Sequence, residues 1–140
     1  MRKQILVDTG PLVACINRND SFHFWARERL SEINPPMLTC EAVLAETCFL
    51  LQDTPGGTSA VLGLLERGVL LVDFQVSSHI RSIRSLMDKY SSVPMSLADA
   101  CLVKMAELHE DSMVMTMDND FLIYRRHGRK TIPVLIPPEA

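Results

Sequence analysis

The sequence is poor in the features that most readily assign a function. It has no C-x-x-C pair and no histidine at zinc-finger spacing, so Cys15, Cys40, Cys48 and Cys101 do not read as a structural zinc site. Buried free thiols in a reducing compartment are the plain reading of all four. Aromatic residues make up 6% of the chain, too few for a platform on which bases stack. A net charge of −3 gives no global basic signature for nucleic acid, although a local basic patch together with bound metal can still attract phosphate. No run approaches the roughly 18 apolar residues of a membrane span. Arg2 and Lys3 precede apolar residues, and Leu12-Val13-Ala14-Cys15 looks like a lipoprotein cleavage box. Asp8 and Pro11 split that stretch, however, and neither piece reaches the roughly 7–15 residues of an export signal core. A cytoplasmic protein with no membrane partner is expected. There is no internal repeat, no low-complexity linker, no glycine-rich phosphate loop and no nucleophile elbow.

What the chain does have is 140 residues with 47% hydrophobic content, enough to bury a core in one domain spanning 1–140. Apolar runs alternate with helix-period segments. Strands are expected at 5–8, 37–39, 69–74, 114–116 and 132–135. Helices are expected at 12–16, 21–33, 41–52, 58–67, 77–90 and 96–109, with a helical turn at 121–124. Strands that read as continuous apolar runs suit a parallel sheet covered on both faces. Ligands of such sheets bind beyond the carboxyl ends of the strands.

Four acids interrupt apolar surroundings. Asp8 closes Ile5-Leu6-Val7. Glu46 sits among Ala42, Val43, Phe49 and Leu50 at helical spacing. Asp99 lies within Met95 to Val103, and Asp118 follows Met113 to Met117. A buried carboxylate is costly unless it is paired or binds a metal, and nothing basic lies within helical reach of Glu46 or Asp99. Each acid also has a plainer reading. Asp8 can cap the helix that Pro11 begins, with Thr9 as a second cap or a supporting donor. Asp99, three residues after Ser96, imitates a capping box. Asp118 and Asp120 suit a turn. Taken together, the acids point to one site at the carboxyl edge of the sheet, and oxygen-only ligands select Mg²⁺ or Mn²⁺. Such a site suits phosphodiester hydrolysis. The one dense basic run holds Arg125, Arg126, Arg129 and Lys130 and is the candidate grip on substrate; it also reads as a solvated loop.

The segments Leu6-Val7-Asp8-Thr9-Gly10-Pro11-Leu12, Val43-Leu44-Ala45-Glu46, Leu97-Ala98-Asp99-Ala100 and Thr116-Met117-Asp118-Asn119-Asp120-Phe121 resemble, in order and spacing, the motifs of PIN-domain ribonucleases, including VapC-type toxins. The resemblance implies an α/β fold of three layers, α/β/α, around a central parallel sheet. It implies a metal-dependent endoribonuclease in which Asp8, Glu46, Asp99 and Asp118 bind Mg²⁺ or Mn²⁺. Asp120 would be a further ligand, and Thr116 and Ser96 would orient carboxylates or water. It also implies an RNA substrate, a homodimer and a small antitoxin protein. Phe22, Phe24 and Trp25 are the expected apolar dimer surface. Gly10 departs from the family, which often has Asn or Ser there. Two other classes remain in view. One is a catalytically silent nucleic-acid-binding or scaffold domain with the same fold. The other is an aspartic protease suggested by Asp8-Thr9-Gly10, which needs a mostly antiparallel β-chain.

Overall fold

The computed structural model describes residues 3–138. Five strands form one wholly parallel sheet: β1 (Gln4–Val7), β2 (Met37–Thr39), β3 (Leu70–Val72), β4 (Ser112–Met115) and β7 (Val134–Leu135). Their spatial order is β3-β2-β1-β4-β7. Among the described residues, the mostly antiparallel β-chain that the protease reading requires is therefore absent. Two short strands, β5 (Arg125–Arg126) and β6 (Lys130–Thr131), form a separate antiparallel ribbon. The helices are α1 (Thr9–Ile16), α2 (His23–Glu32), α3 (Glu41–Leu50), α4 (Gly57–Glu66), α5 (Ile80–Lys89) and α6 (Leu97–Leu108). This is the expected three-layer α/β/α arrangement.

The order of strands decides where a ligand can sit. The chain winds outward from β1 through β2 to β3, then crosses back to place β4 on the other side of β1. The connections leaving β1 and β4 at their carboxyl ends diverge and leave a crevice. Register sets what faces it. Val7 pairs with Met115, and the Asp8 N–H continues the ladder by donating to the Met115 carbonyl at 2.9 Å. The residues just past both strands, Asp8 and Thr116, are thereby neighbours.

Beneath the crevice, Leu6, Val7, Val114 and Met115 are fully buried. Helix α6 is the most deeply set helix: Ala100, Cys101, Leu102, Val103 and Ala106 are inaccessible. Its entry is fixed by a capping box. The Asp99 N–H donates to Ser96 Oγ at 3.0 Å, and the Ser96 N–H donates back to Asp99 Oδ2 at 3.4 Å. Cys40 and Cys101 are buried free thiols, as expected, whereas Cys15 and Cys48 are only half-buried.

Boundaries shift where one signal outweighs another. Helix α1 starts at Thr9 rather than Leu12, because the Asp8 side chain caps it by accepting from the Thr9 N–H. The segment expected as a helix from 77 begins as a 3₁₀ turn, Val76–His79, before α5. The basic run, expected as a solvated loop or a substrate grip, is the β5–β6 ribbon. Its turn places His127 at φ 52° and Gly128 at φ 81°.

The packing predicts a contrast between two leucines. Leu102→Ala, in the closed interior of α6, should destabilise the fold by about 2–5 kcal/mol. Leu62→Ala, at a position 51% exposed on α4, should stay within about 0.5 kcal/mol of wild type. Urea unfolding of both variants measures this, and equal losses would contradict the assigned core.

Candidate metal centre at the sheet edge

Asp8 is held from two sides. Its Oδ1 accepts from the Thr9 N–H and its Oδ2 from the Thr116 hydroxyl, each at 2.7 Å. Thr116 Oγ1 in turn accepts the Asp118 N–H at 3.0 Å. One buried hydroxyl therefore ties the end of β4 to the end of β1 and sets the following turn. Asp118 Oδ1 closes that turn by accepting the Asp120 N–H at 2.9 Å.

Asp99 is fixed from the other wall. Besides its place in the capping box, its Oδ2 accepts from the Tyr124 hydroxyl at 2.8 Å. The Tyr124 ring is fully buried and packs edge-on against Tyr90 and Phe121. Sequence reasoning placed Tyr124 only at the end of a helical turn; the sole signal was its spacing of three from Phe121. Asp20, read as part of a polar loop, was also missed.

The acids line one open cavity of about 650 Å³. Six carboxylates face it, from Asp8, Asp20, Glu46, Asp99, Asp118 and Asp120, and no basic side chain does. Thr9 and Ser96 line it too, while Thr116 acts from below through Asp8. The acids differ in burial. Asp8 and Asp99 are buried at 7% and 8% exposure. Asp118 and Asp120 are half-buried, and Glu46 is exposed. The expectation that Glu46 is engulfed by apolar neighbours is thus corrected. Phe49 and Leu50 are themselves exposed, so α3 presents Glu46 at the rim. Gly10 leaves room for Met117, because a Cβ there would lie 3.2 Å from Met117 Cβ.

The electrostatics follow from that geometry. Burial pushes the Asp8 carboxyl up to about 6; the Thr116 and Thr9 donors oppose the rise, and the charges of Asp99 and Glu46 add to it. Burial also raises Asp99, opposed by the Tyr124 hydroxyl and assisted by the charge of Asp118.

Among the described residues, no three Asp, Glu, His or Cys groups stand close enough to hold one metal ion. The donor chemistry nevertheless fits a hard cation. The ligands are all oxygen, the charge has no internal counter-ion, and the buried Thr9 hydroxyl beside Asp8 has no hydrogen-bond partner. Asp8 and Asp99 are the fixed part of the set, and exposed Glu46 is free to adjust.

The four basic candidates stand elsewhere. Arg125 Nη1 donates to the carbonyls of Leu122, Ile123 and Tyr124. Arg126 Nη1 donates to the carbonyls of Ala106 and Glu110 at the end of α6. Arg129 and Lys130 are exposed on the ribbon, and none of the four lines the cavity.

Two predictions follow from the buried acids. In the metal-free protein, Asp8 titrates in the folded state near 6 and in the unfolded state near 3.8, so it withdraws stability as pH rises through that window, by about 3 kcal/mol in full. Asp8→Asn should therefore be more stable than wild type at pH 7.5 and lose that advantage below pH 4. Parallel stability curves for the two proteins would contradict it. Tyr124→Phe removes a donor to a carboxylate, so its loss of about 1–3 kcal/mol should appear at pH 7.5 and shrink in acid, where Asp99 is protonated. Chemical denaturation at the two pH values measures this.

Comparison with known proteins agrees with the geometry. No curated protein matches the chain in sequence. Among solved structures, the chain is similar to Mycobacterium tuberculosis VapC20, described as a sarcin–ricin loop cleaving toxin. The TM-score is 0.75 at 22% identity, covering 84% of this chain and 92% of that one. The family model described as PIN domain matches residues 5–126, from β1 through β5, and the chain belongs to the PIN domain family.

Proposed function

We propose that the protein is a metal-dependent endoribonuclease that hydrolyses RNA phosphodiester bonds, and that it is the toxin of a toxin–antitoxin pair. The observation that carries this reading is the crevice between β1 and β4. It gathers six carboxylates without a base around one cavity and leaves a buried hydroxyl unpartnered beside the most deeply set of them. Membership of the PIN domain family supports nuclease chemistry. Likeness in fold to a toxin that cleaves the sarcin–ricin loop supports RNA as the substrate class.

Asp8, Asp99 and Asp118 would hold Mg²⁺ or Mn²⁺, with Glu46 and Asp120 completing the set from the rim. A bound divalent ion supplies positive charge to the phosphate and acidifies water at neutral pH. The protein's own contribution is placement. Thr116 and the Thr9 N–H fix both oxygens of Asp8, and Tyr124 and Ser96 fix Asp99. Preset ligands lose little freedom when the ion and substrate arrive. Because a cation favours the ionised form of its ligands, Asp8 must lose its proton to serve, so metal would hold it ionised below the pH of about 6 at which the metal-free group titrates, and metal affinity should weaken as pH falls.

The remaining partners belong to the same reading. A small antitoxin protein with a basic segment would complement a cavity whose charged side chains are all acids. A homodimer through Phe24, 85% exposed on α2, would cover the most prominent apolar side chain. Phe22 and Trp25 are half-buried and would contribute less to that contact.

The test is cleavage of a mixed RNA panel with EDTA, Mg²⁺ and Mn²⁺. Metal-dependent cutting that falls at least roughly 100-fold in Asp8→Asn and Asp99→Asn is the expected result. In parallel, Mg²⁺ or Mn²⁺ should raise the Tm of wild type and leave that of Asp8→Asn nearly unchanged. A folded protein that cuts no RNA and ignores both ions would favour a silent binding or scaffold domain, a reading that gains weight from the spread of the carboxylates.

A further inference from the structure

A polyanionic substrate needs positive charge to hold it, and the acidic cavity supplies none. Arg125 and Arg126 are occupied by backbone carbonyls, and Arg29 pairs with Glu28 and Glu32. Positive charge gathers instead around a second cavity, of about 300 Å³, between α1, α2 and α4. Three arginines line it, Arg18, Arg27 and Arg67, together with His23 and Cys15, and no carboxylate does. Among the described residues, none of the three guanidiniums has a salt bridge or a side-chain hydrogen bond, while Arg29 on the same helix as Arg27 has both.

The cavity is shaped by the sequence of α4. Ala60, Leu64 and Arg67 share one face, and Gly63 lies on it one turn before Arg67. A Cβ at Gly63 would stand 3.3 Å from Arg67 Nη1, so the glycine lets this guanidinium lie back along the helix. From α2, the charge of Arg27 is felt at the Cys15 thiol, where it opposes the upward push of burial. His23 is anchored through Nδ1 to the Ala14 carbonyl at 2.7 Å, which fixes the floor of the cavity to α1.

Helix α1 is a wall of both cavities. Val13 faces the acidic one, while Cys15 and Ile16, within the next turn, face the basic one. In the loop that follows, Arg18 lines the basic cavity and Asp20 the acidic one. The two cavities therefore adjoin along α1 and the loop after it.

We infer that the cavity bounded by Arg18, Arg27 and Arg67 is a phosphate-binding subsite that grips the RNA backbone next to the cleavage site. This rests on the ribonuclease reading above. Unpaired guanidiniums match phosphate oxygens in charge and fork geometry. They give positional hold without base selectivity. The cavity thus separates grip from chemistry, leaving the acidic crevice free of cationic side chains that would compete with a metal.

The test compares the wild-type protein, Arg18→Gln/Arg27→Gln/Arg67→Gln and a control, Arg81→Gln/Arg84→Gln on α5. Single-stranded RNA binding is followed by fluorescence anisotropy in EDTA across a salt series, and cleavage by steady-state kinetics with Mg²⁺ or Mn²⁺. The triple variant, with wild-type circular dichroism, should bind RNA roughly tenfold or more weakly, with a log–log salt slope shallower by about 2. Its KM should rise with kcat nearly unchanged, and the control should change little. A wild-type protein that cuts RNA beside a triple variant with the same KM and salt slope would overturn the subsite and leave the nuclease standing. An equal loss in the control would overturn it as nonspecific charge. Arginine-dependent RNA binding without cleavage in any metal would keep the subsite and remove the nuclease. A wild-type protein that neither binds nor cuts RNA, or that binds a glutamate-rich peptide through these arginines in preference to RNA, would also overturn it.

Discussion

The burial of Asp8 is the constraint on which the site depends. A carboxylate at the carboxyl end of the central strand has lost most of its water, and only two donors replace it. Each donor has a second structural duty. The Thr9 N–H opens α1, and the Thr116 hydroxyl links β4 to the Asp118 turn. The position of Asp8 is therefore set by the same contacts that start a helix, end a strand and shape the facing loop. A change at any of them would be felt at the carboxylate.

That arrangement leaves a tension in the metal-free protein. Two hydrogen bonds do not offset the desolvation of Asp8, and neighbouring Asp99 and Glu46 make ionisation harder. Asp99 is in a similar position on the opposite wall, relieved in part by Tyr124. Functional sites commonly hold such unfavourable groups because surrounding packing over-determines them. Here the packing is the closed interior of α6 and the aromatic cluster of Tyr90, Phe121 and Tyr124. The core under the crevice keeps like charges together, and a divalent ion is the ligand whose charge would relieve them.

Much of this was legible in the sequence, for identifiable reasons. Parallel strands announced themselves because burial on both faces removes alternation, as in Ile5-Leu6-Val7. Asp8 and Asp118 were legible because each ends an apolar run, where the sheet edge must lie. The capping box was visible in the spacing of Ser96 and Asp99. Burial of Glu46 was not legible: apolar neighbours at helical spacing look the same whether they pack into a core or, like Phe49 and Leu50, remain exposed. Tyr124 was hidden because its partner Asp99 lies 25 residues away and is brought to it only by the fold. The basic run was ambiguous for a related reason. Four cations in six residues suggest a surface grip, yet two of them fasten the ribbon, one to the turn just before it and one to the end of α6.

The placement of those two arginines keeps them out of the acidic cavity. A helix end exposes unpaired carbonyls, and Arg126 satisfies those of Ala106 and Glu110 near the close of α6. The same helix carries Asp99 at its first turn, where the dipole favours an acid. An acid in the first turn of α6 and a guanidinium at the carbonyls near its close both agree with its dipole, while Glu107 in its last turn pairs with Lys104. Asp99 faces the crevice and Arg126 faces away from it. The alternation β1-α1 and β4-turn then brings Asp8, Asp118 and Asp120 to the carboxyl edge. The acidic cavity thus depends on strand order, which brings acids far apart in sequence to one edge of the sheet.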